Sequence, residues 1–259
     1  MILIIAGGLG FPVIYEFRNR IRYWREHRRV PVSLHTKMVL SATVILILTG
    51  WVMIFLFERG GELSELTLKG RIFASLFQSV TARTAGFNTL DISMMGPAAL
   101  FILLMLMFIG ASPGSCGGGI KTTSVAVFAA ILRNKFRGRQ TISMFKRTIP
   151  DDMIARTLSI FFLAVLVVTA GLILLLVTEM GSMNSGNEFF LAYLFEAVSA
   201  FATVGLSMGV TSTLTVGGKL VIIVLMLLGR VGLLTVAYVI TRQEHVRMFK
   251  YVEERVMIG

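Results

Sequence analysis

Residues 75–87 read Ser-Leu-Phe-Gln-Ser-Val-Thr-Ala-Arg-Thr-Ala-Gly-Phe, and residues 193–206 repeat the pattern as Tyr-Leu-Phe-Glu-Ala-Val-Ser-Ala-Phe-Ala-Thr-Val-Gly-Leu. Each copy is a short apolar segment that ends in a Thr-x-Gly triplet. A further glycine, Gly110 or Gly229, follows the triplet's glycine after 24 residues, at a similar apolar run in each copy. Agreement in both pattern and spacing indicates an internal repeat.

Long uncharged stretches place the chain in a membrane. The 259 residues are 55% hydrophobic and 15% charged, whereas soluble domains carry about 25% charged residues. Residues 38–57 and 157–178 are charge-free and long enough to cross a bilayer as helices, and residues 220–241 contain one charge. Residues 72–82 and 189–202 are too short to cross and predict re-entrant helices. The predicted fold class is therefore an all-α polytopic membrane protein with repeated units of span, re-entrant pore helix, filter loop and span.

The basic residues indicate which side of the membrane each linker faces. Most of the 25 Lys and Arg residues fall in three stretches, 16–37, 133–156 and 242–259, which one topology puts on the same side. The positive-inside rule makes that side the cytoplasm. Because topology already explains the net charge of +11, we expect no nucleic-acid partner.

The two triplets, Thr84-Ala85-Gly86 and Thr203-Val204-Gly205, have the chemistry of a cation filter. The C-terminal end of a helix carries negative partial charge, and glycine lets the backbone turn its carbonyl oxygens towards a common axis. The second triplet also matches the start of the Thr-Val-Gly-Tyr-Gly filter of potassium channels, in which carbonyls replace the hydration shell. A plain turn is the alternative for either triplet alone. Their repetition after two re-entrant helices favours the filter.

The chain resembles the Trk/Ktr/HKT superfamily of potassium transporters, most closely the membrane subunit of bacterial Ktr potassium uptake systems. The resemblance covers essentially the whole chain, and its glycine-rich motif is highly specific. It is carried by residues 79–88, 110–123, 195–207, 229–232 and 252–259.

The resemblance implies four non-identical units around a pseudo-fourfold pore. This chain would hold the C-terminal half of such a protein, and we expect it to be incomplete. The implied division is a remnant span of the second unit at 1–15, a basic cytoplasmic linker at 16–37, the third pore unit at 38–132, a second basic linker at 133–156, the fourth pore unit at 157–241 and a cytoplasmic tail at 242–259.

The resemblance also implies channel-like potassium uptake across the bacterial plasma membrane, by a multi-pass chain with a cytoplasmic C-terminus. Potassium is the expected substrate and sodium a coupling or activating ion, with no covalently bound cofactor. The implied partners are a second copy of the chain (a homodimer), a cytosolic nucleotide-binding ring of regulatory subunits, and membrane lipid. The filter residues that would hold K⁺ are Thr84, Ala85, Gly86, Phe87, Thr203, Val204, Gly205 and Leu206.

A glycine-rich segment interrupts the predicted span after the first filter. A helix is costly there, since each Gly costs ~1 kcal/mol and Pro ~3 kcal/mol. A phosphate-binding loop is excluded because Ile120 breaks the required Gly-Lys step and no strand precedes it. A passive kink is one interpretation. The resemblance instead implies an intramembrane gate loop beneath the filter, formed by Ser112, Pro113, Gly114, Ser115, Cys116, Gly117, Gly118, Gly119 and Lys121.

Arg230 is a charge deep inside a predicted span. It lies 11 residues from Lys219 and 12 from Arg242, or about 16–18 Å from either end of a helix. A charge at that depth is costly and indicates a function. A structural ion pair with Glu196 is one interpretation. The resemblance implies an arginine that faces the pore and contacts the gate loop.

The remaining polar residues suggest no enzyme. The chain has one Cys and three His, with no nucleophile set and no metal-ligand spacing. Arg83, Asp91 and Glu196 fit helix-end neutralisation and attraction at an outer mouth equally well, and Lys121 fits either support of the loop or a marker of the inner pore. The alternative function is a non-conducting fragment or assembly subunit, because a carbonyl ring needs about four loops and two are present.

Overall fold

The computed structural model describes residues 1–25, 31–139, 141–180 and 188–232. These residues form helices and one two-stranded hairpin, in which Ser143 pairs with Thr148 and Met144 with Arg147. In chain order the elements are α1 (Ile2–Leu9), α2 (Phe11–Arg25), α3 (Leu34–Phe57), α4 (Leu68–Thr81), α5 (Pro97–Phe108), α6 (Thr122–Phe136), β1 (Ser143–Met144), β2 (Arg147–Thr148), α7 (Asp151–Glu179), α8 (Glu188–Ala202) and α9 (Val216–Val231).

Two helices, α3 and α7, are long and apolar enough to cross a membrane. Both begin before the charge-free stretches that predict them. Helix α3 begins at Leu34 because the Ser33 side chain accepts a hydrogen bond from the Thr36 amide, which satisfies one free donor of the first turn. Helix α7 begins with Asp151 and Asp152, whose negative charges are favourable at a helix N-terminus.

The N-terminal apolar segment is a bent pair of helices. Helices α1 and α2 meet at 99°, and Gly10 between them has a φ of 84°, a value that L side chains rarely adopt. Helix α2 continues to Arg25. The helix boundary therefore falls inside the predicted span 1–15, and much of the predicted linker 16–37 is helical.

Helices α3, α4 and α5 form a first helix group, and α7, α8 and α9 form a second. A buried glutamate joins the first and last helices of each group. Glu58, just after α3, accepts a hydrogen bond from the Gly96 amide at the start of α5 (2.7 Å). Glu179, the last residue of α7, accepts from the amide and hydroxyl of Thr215 at the start of α9 (2.9 and 2.6 Å). The two helix groups thus share a capping arrangement as well as a sequence pattern.

The main hydrophobic core lies where the two helix groups meet. Leu103 and Met107 of α5 are fully buried against Phe195 and Phe201 of α8. This contact joins α5 of the first helix group to α8 of the second. The loops that follow α4 and α8 carry the Thr-x-Gly triplets.

A non-helical segment, residues 109–121, separates α5 from α6. Its two ends lie side by side, because Ile109 and Ile120 form a parallel bridge. Helix α9 ends at Val231, where Gly232 has a φ of 89°. The last part of the predicted fourth unit and the whole of the predicted tail 242–259 lie outside the described residues.

Candidate functional site

The two Thr-x-Gly triplets have the same backbone conformation. Thr84 and Gly86 have φ values of 66° and 76°, and Thr203 and Gly205 have values of 52° and 92°. A positive φ is a genuine outlier for a β-branched residue such as threonine. Such strain persists only where the surroundings fix it, and it clusters at functional sites. The repeat in sequence is therefore also a repeat of one unusual loop geometry.

The two loops contact each other at their glycines. A β-carbon on Gly86 would clash with the Val204 carbonyl oxygen, and one on Gly205 would lie 3.6 Å from the Gly86 α-carbon. The first glycine is therefore required both by its φ and by the space available. The Val204 carbonyl oxygen thus lies directly against the first loop.

A hydroxyl behind each loop holds the residue that follows the glycine. The Thr81 hydroxyl donates to the Phe87 carbonyl oxygen (2.5 Å) and accepts from the Phe87 amide (2.9 Å). The Ser199 hydroxyl donates to the Leu206 carbonyl oxygen (2.6 Å). The carbonyls of Phe87 and Leu206 are thus engaged with the pore helices.

The other six carbonyls of the predicted filter are available for a cation. Within the described part of the chain, no hydrogen bond reaches their oxygens. Backbone carbonyls without a partner in the chain bond to water or to another electropositive group, and five of these six residues are half-buried or exposed. These six belong to Thr84, Ala85, Gly86, Thr203, Val204 and Gly205.

The glycine-rich segment runs directly against both filter threonines. A β-carbon on Gly117 would clash with the Thr84 hydroxyl oxygen, and one on Gly118 would lie 2.5 Å from the Thr203 hydroxyl oxygen. Gly119, with a φ of 69°, packs against Ala202. A passive kink would need no such row of glycines. Their positions instead explain why this segment has no side chains on its filter side.

Hydrogen bonds within the segment keep it folded. Lys121 donates from Nζ to the Gly117 carbonyl oxygen (2.7 Å). The Ser115 hydroxyl donates to the Ser112 carbonyl oxygen (2.6 Å), and the Thr122 amide donates to the Ala111 carbonyl oxygen (3.2 Å). Of its two predicted roles, Lys121 therefore has the geometry of loop support.

The bend between α1 and α2 holds the segment from its other side. The Phe11 amide donates to the Gly114 carbonyl oxygen (2.9 Å), and the Ser112 amide donates to the Gly8 carbonyl oxygen (3.1 Å). A β-carbon on Gly10 would lie 2.5 Å from the Pro113 carbonyl oxygen. The bend at Gly10 thus follows the outline of the glycine-rich segment.

Arg230, in the last turn of α9, contacts the same segment. One of its terminal nitrogens donates a hydrogen bond to the Cys116 carbonyl oxygen. The ion pair between Arg230 and Glu196, which the sequence left open, is not formed, because Glu196 accepts hydrogen bonds from Ser207 and Thr211. Behind Arg230, Gly229 packs so closely on Phe201 that a β-carbon would clash with the Phe201 carbonyl oxygen.

Comparisons with known proteins identify the family and the fold of the chain. The profile of the TrkH cation transport protein family matches residues 1–249. The chain belongs to the TrkH family. The fold is that of the potassium transporter TrkH from Vibrio parahaemolyticus, with a TM-score of 0.72 at 20% sequence identity over 93% of this chain and 50% of that one. The family and the all-helical membrane fold predicted from the sequence are confirmed.

Curated members of the TrkH family share more of the sequence. Ktr system potassium uptake protein D of Bacillus subtilis is 39% identical over all of this chain and 56% of its own length. Potassium/sodium uptake protein NtpJ of Enterococcus hirae is 39% identical over 99% of this chain and 56% of its own. Ktr system potassium uptake protein B of Vibrio alginolyticus is 39% identical over 99% of this chain and 54% of its own. The chain spans about half the length of the curated relatives it matches.

Sequence reasoning missed four polar residues of this TrkH family member. Glu58 and Glu179 lie at matching ends of two spans, and Thr81 and Ser199 lie at matching positions of the repeat. These coincidences were visible signals. The partners of the glutamates were not, since those bonds join residues 36–38 positions apart, and the local partners of Thr81 and Ser199 depend on the turn of each loop.

Two charges near the first filter have different surroundings. Arg83 is buried, and its Nε and one terminal nitrogen lack a hydrogen-bond partner among the described residues. Asp91 is exposed and accepts hydrogen bonds from the amide and hydroxyl of Ser93 (3.0 and 2.6 Å), which hold the pKa of its carboxyl below the usual value. Asp91 therefore caps a local turn at the end of the first filter loop.

Proposed function

We propose that this chain forms part of a potassium translocation pathway, in which the two Thr-x-Gly loops bind the dehydrated ion. The observation that carries the proposal is the pair of strained loops that meet at Gly86 and Gly205. The names of the Ktr and NtpJ relatives support potassium as the ion. Non-helical backbone at membrane depth is expected where it lines such a pathway.

In this proposal the free carbonyls replace the water around K⁺. The C-terminal ends of α4 and α8 add the negative partial charge of their helix dipoles. Phe87 and Leu206, which the sequence grouped with the filter, anchor the loops through Thr81 and Ser199. A complete ring takes about four such loops. The other loops would come from another part of the polypeptide or from a second copy.

The glycine-rich segment is the proposed gate. It lies against Thr84 and Thr203, so an ion leaving the filter must displace it. Lys121 and Arg230 hold it through its carbonyls at Gly117 and Cys116. Breaking these two bonds would let the segment swing aside, and Arg230 would also repel cations while it stays in place.

The wider assembly is proposed from the relatives. We infer, from the sequence resemblance, a homodimer in the bacterial plasma membrane with a cytoplasmic C-terminus and a cytosolic nucleotide-binding ring. The naming of relatives as Ktr system proteins supports a system of more than one subunit. Sodium is the proposed coupling or activating ion, supported by the name of NtpJ as a potassium/sodium uptake protein. Transport, rather than catalysis, is the proposed activity.

Growth on limiting potassium tests this function. A bacterium that lacks its own potassium uptake would express this chain alone or joined to the part of the B. subtilis relative that it does not match. We expect at least one form to restore growth and Rb⁺ uptake, and Gly205→Val to abolish both. Rescue only by the joined form would mean that the two loops need further loops. Failure of both forms, with normal membrane expression, would contradict the proposal.

A further inference from the structure

Glu196 is a buried carboxylate behind the second filter loop. It lies in α8 and is 5% exposed. Its Oε1 accepts a hydrogen bond from the Ser207 hydroxyl, and its Oε2 accepts one from the Thr211 hydroxyl (2.9 Å). Hydrogen bonds to an ionised carboxylate are roughly twice as strong as neutral ones. One side chain of the pore helix therefore holds two residues just beyond Gly205.

These bonds belong to a closed network. The Ser207 hydroxyl oxygen lies 3.1 Å from that of Thr211 and accepts a hydrogen bond from the Gly209 amide (2.9 Å). Gly209 has a φ of 89° and so allows the chain to turn back there. The segment after the filter is thereby folded onto Glu196 and held by side chains at both ends.

The first filter loop has no such network. Gln78 occupies the position of Glu196 in the repeat, and its amide nitrogen and oxygen are both buried without a hydrogen-bond partner among the described residues. Asn88, at the position of Ser207, instead donates to the Leu90 carbonyl oxygen (3.3 Å). Both loops share the hydroxyl bond of Thr81 or Ser199 and a backbone bond to the carbonyl of the same residue, from Ala85 or Val204. The carboxylate network is thus an addition to the second loop.

We infer that Glu196 is a positioning residue that sets the preference of the second loop for K⁺ over Na⁺. The inference rests on the proposed function. Ser199 of α8 holds Leu206 by a hydrogen bond, and Glu196 of α8 holds Ser207 by another. These bonds restrain the segment after Gly205 from moving towards the ion. In the cavity-size account of selectivity, carbonyls held at this distance coordinate the larger ion better than the smaller one.

Charge and position have separable effects. The negative charge of Glu196 attracts K⁺ and Na⁺ equally, so loss of the charge alone lowers the uptake of both ions by the same factor. Loss of the hydrogen bonds lets the loop contract and changes the ratio between the ions. The ratio is therefore the quantity that identifies a positioning role.

The test compares Glu196→Gln, Ser207→Ala and the double variant with Glu65→Gln, which removes an exposed carboxylate outside the network. Rb⁺ uptake and its inhibition by Na⁺ are measured in the form of the protein that supports growth. We expect each single variant to lower discrimination about tenfold, which corresponds to about 1.4 kcal/mol. The double variant should add little further, because the bond between Ser207 and Glu196 is weakened by one change and removed by the other. Ser207→Ala keeps the test available if Glu196→Gln does not fold.

A second readout does not require transport. The melting temperature of the purified chain is titrated with KCl and with NaCl, since an ion that binds the folded state raises it. We expect wild type to respond to K⁺ at a lower concentration than to Na⁺, and the variants to respond to both ions at similar concentrations. The inference would be overturned if the variants lost their response to K⁺ and Na⁺ by the same factor. It would also be overturned if the ratio of K⁺ to Na⁺ response in the variants equalled that of wild type. Absence of uptake by wild type with preserved K⁺-selective stabilisation would refute transport and leave the role of Glu196 supported. Absence of both would overturn both.

Discussion

Gly118 lies directly against Thr203, so that a β-carbon on the glycine would stand 2.5 Å from the threonine hydroxyl oxygen. The contact joins the two parts of the proposed pathway, the filter and the segment that crosses beneath it. Any side chain at position 118 must move either the segment or a threonine whose φ is 52°.

Substitution of this glycine tests whether the close packing matters for transport. Gly118→Ala should lower Rb⁺ uptake at least about fivefold, because overpacking a filled site costs about 1–3 kcal/mol. Gly60→Ala is the matched control, since a β-carbon at Gly60 meets nothing within 4 Å. Equal uptake by the two variants would show that the segment does not press on the filter.

Arg230 tests the gate itself. Arg230→Ala removes both a positive charge from the pathway and the hydrogen bond to the Cys116 carbonyl. We expect the maximal rate of Rb⁺ uptake to rise at least about tenfold, given about 1.5–3 kcal/mol for a hydrogen bond to a charged group. Lys219→Ala, which removes an exposed charge from the other end of α9, should leave the rate unchanged. Wild-type kinetics in Arg230→Ala would refute a position in the pathway.

Shortening the glycine-rich segment should act in the same direction. Deletion of residues 115–118 removes the stretch that lies against Thr84 and Thr203, together with the acceptor of the Lys121 bond. If the segment is a gate, uptake measured at saturating Rb⁺ should exceed that of wild type. Unchanged uptake by a well-expressed deletion would leave the segment as a structural kink.

The buried glutamates predict an effect on stability rather than on ion preference. Glu58→Ala leaves the Gly96 amide without its acceptor, at a cost of about 1–3 kcal/mol. The melting temperature should fall by at least a few degrees, since ~1 kcal/mol shifts a protein of this size by about 2–4 °C. The exposed Glu65→Ala is the comparison. Identical melting curves for Glu58→Ala and Glu65→Ala would show that the cap does not stabilise the first helix group.

The hydroxyl behind the first filter loop can be removed without changing the shape of its side chain. Thr81→Val deletes the donor to the Phe87 carbonyl and the acceptor for the Phe87 amide. We expect discrimination of K⁺ over Na⁺ to weaken by several-fold, in line with about 1 kcal/mol for a neutral hydrogen bond. Thr81→Ser retains the hydroxyl and should behave as wild type. Equal discrimination of K⁺ over Na⁺ by Thr81→Val and Thr81→Ser would show that this hydrogen bond does not affect ion selection.

Much of the fold was predictable because its signals are local. The charge-free stretches predict the spans α3 and α7. The structure places the N-terminal caps of these helices several residues earlier, at Ser33 and Pro150. The apolar segment 1–15 gave no sign of its bend. The turn at Gly10 depends on a hydrogen bond from Phe11 to Gly114, more than 100 residues away in the chain.

The site was predictable in composition but not in orientation. Equal spacing identified both Thr-x-Gly loops, yet it could not show that the carbonyls of Phe87 and Leu206 face Thr81 and Ser199. Similarly, Glu196 was an open choice between an outer-mouth charge and a partner of Arg230. The fold decides such choices, because they depend on how each loop turns and on which side chains then lie within hydrogen-bond distance.

The central claim is that both loops bind one dehydrated cation through their backbone. A structure of the purified chain, or of its joined form, determined in Tl⁺ as an anomalous substitute for K⁺, tests it most directly. We predict an anomalous peak within coordination distance of carbonyl oxygens from both 84–86 and 203–205, lost on exchange into Na⁺. A peak elsewhere, or none at these carbonyls in a protein that transports K⁺, would contradict the account.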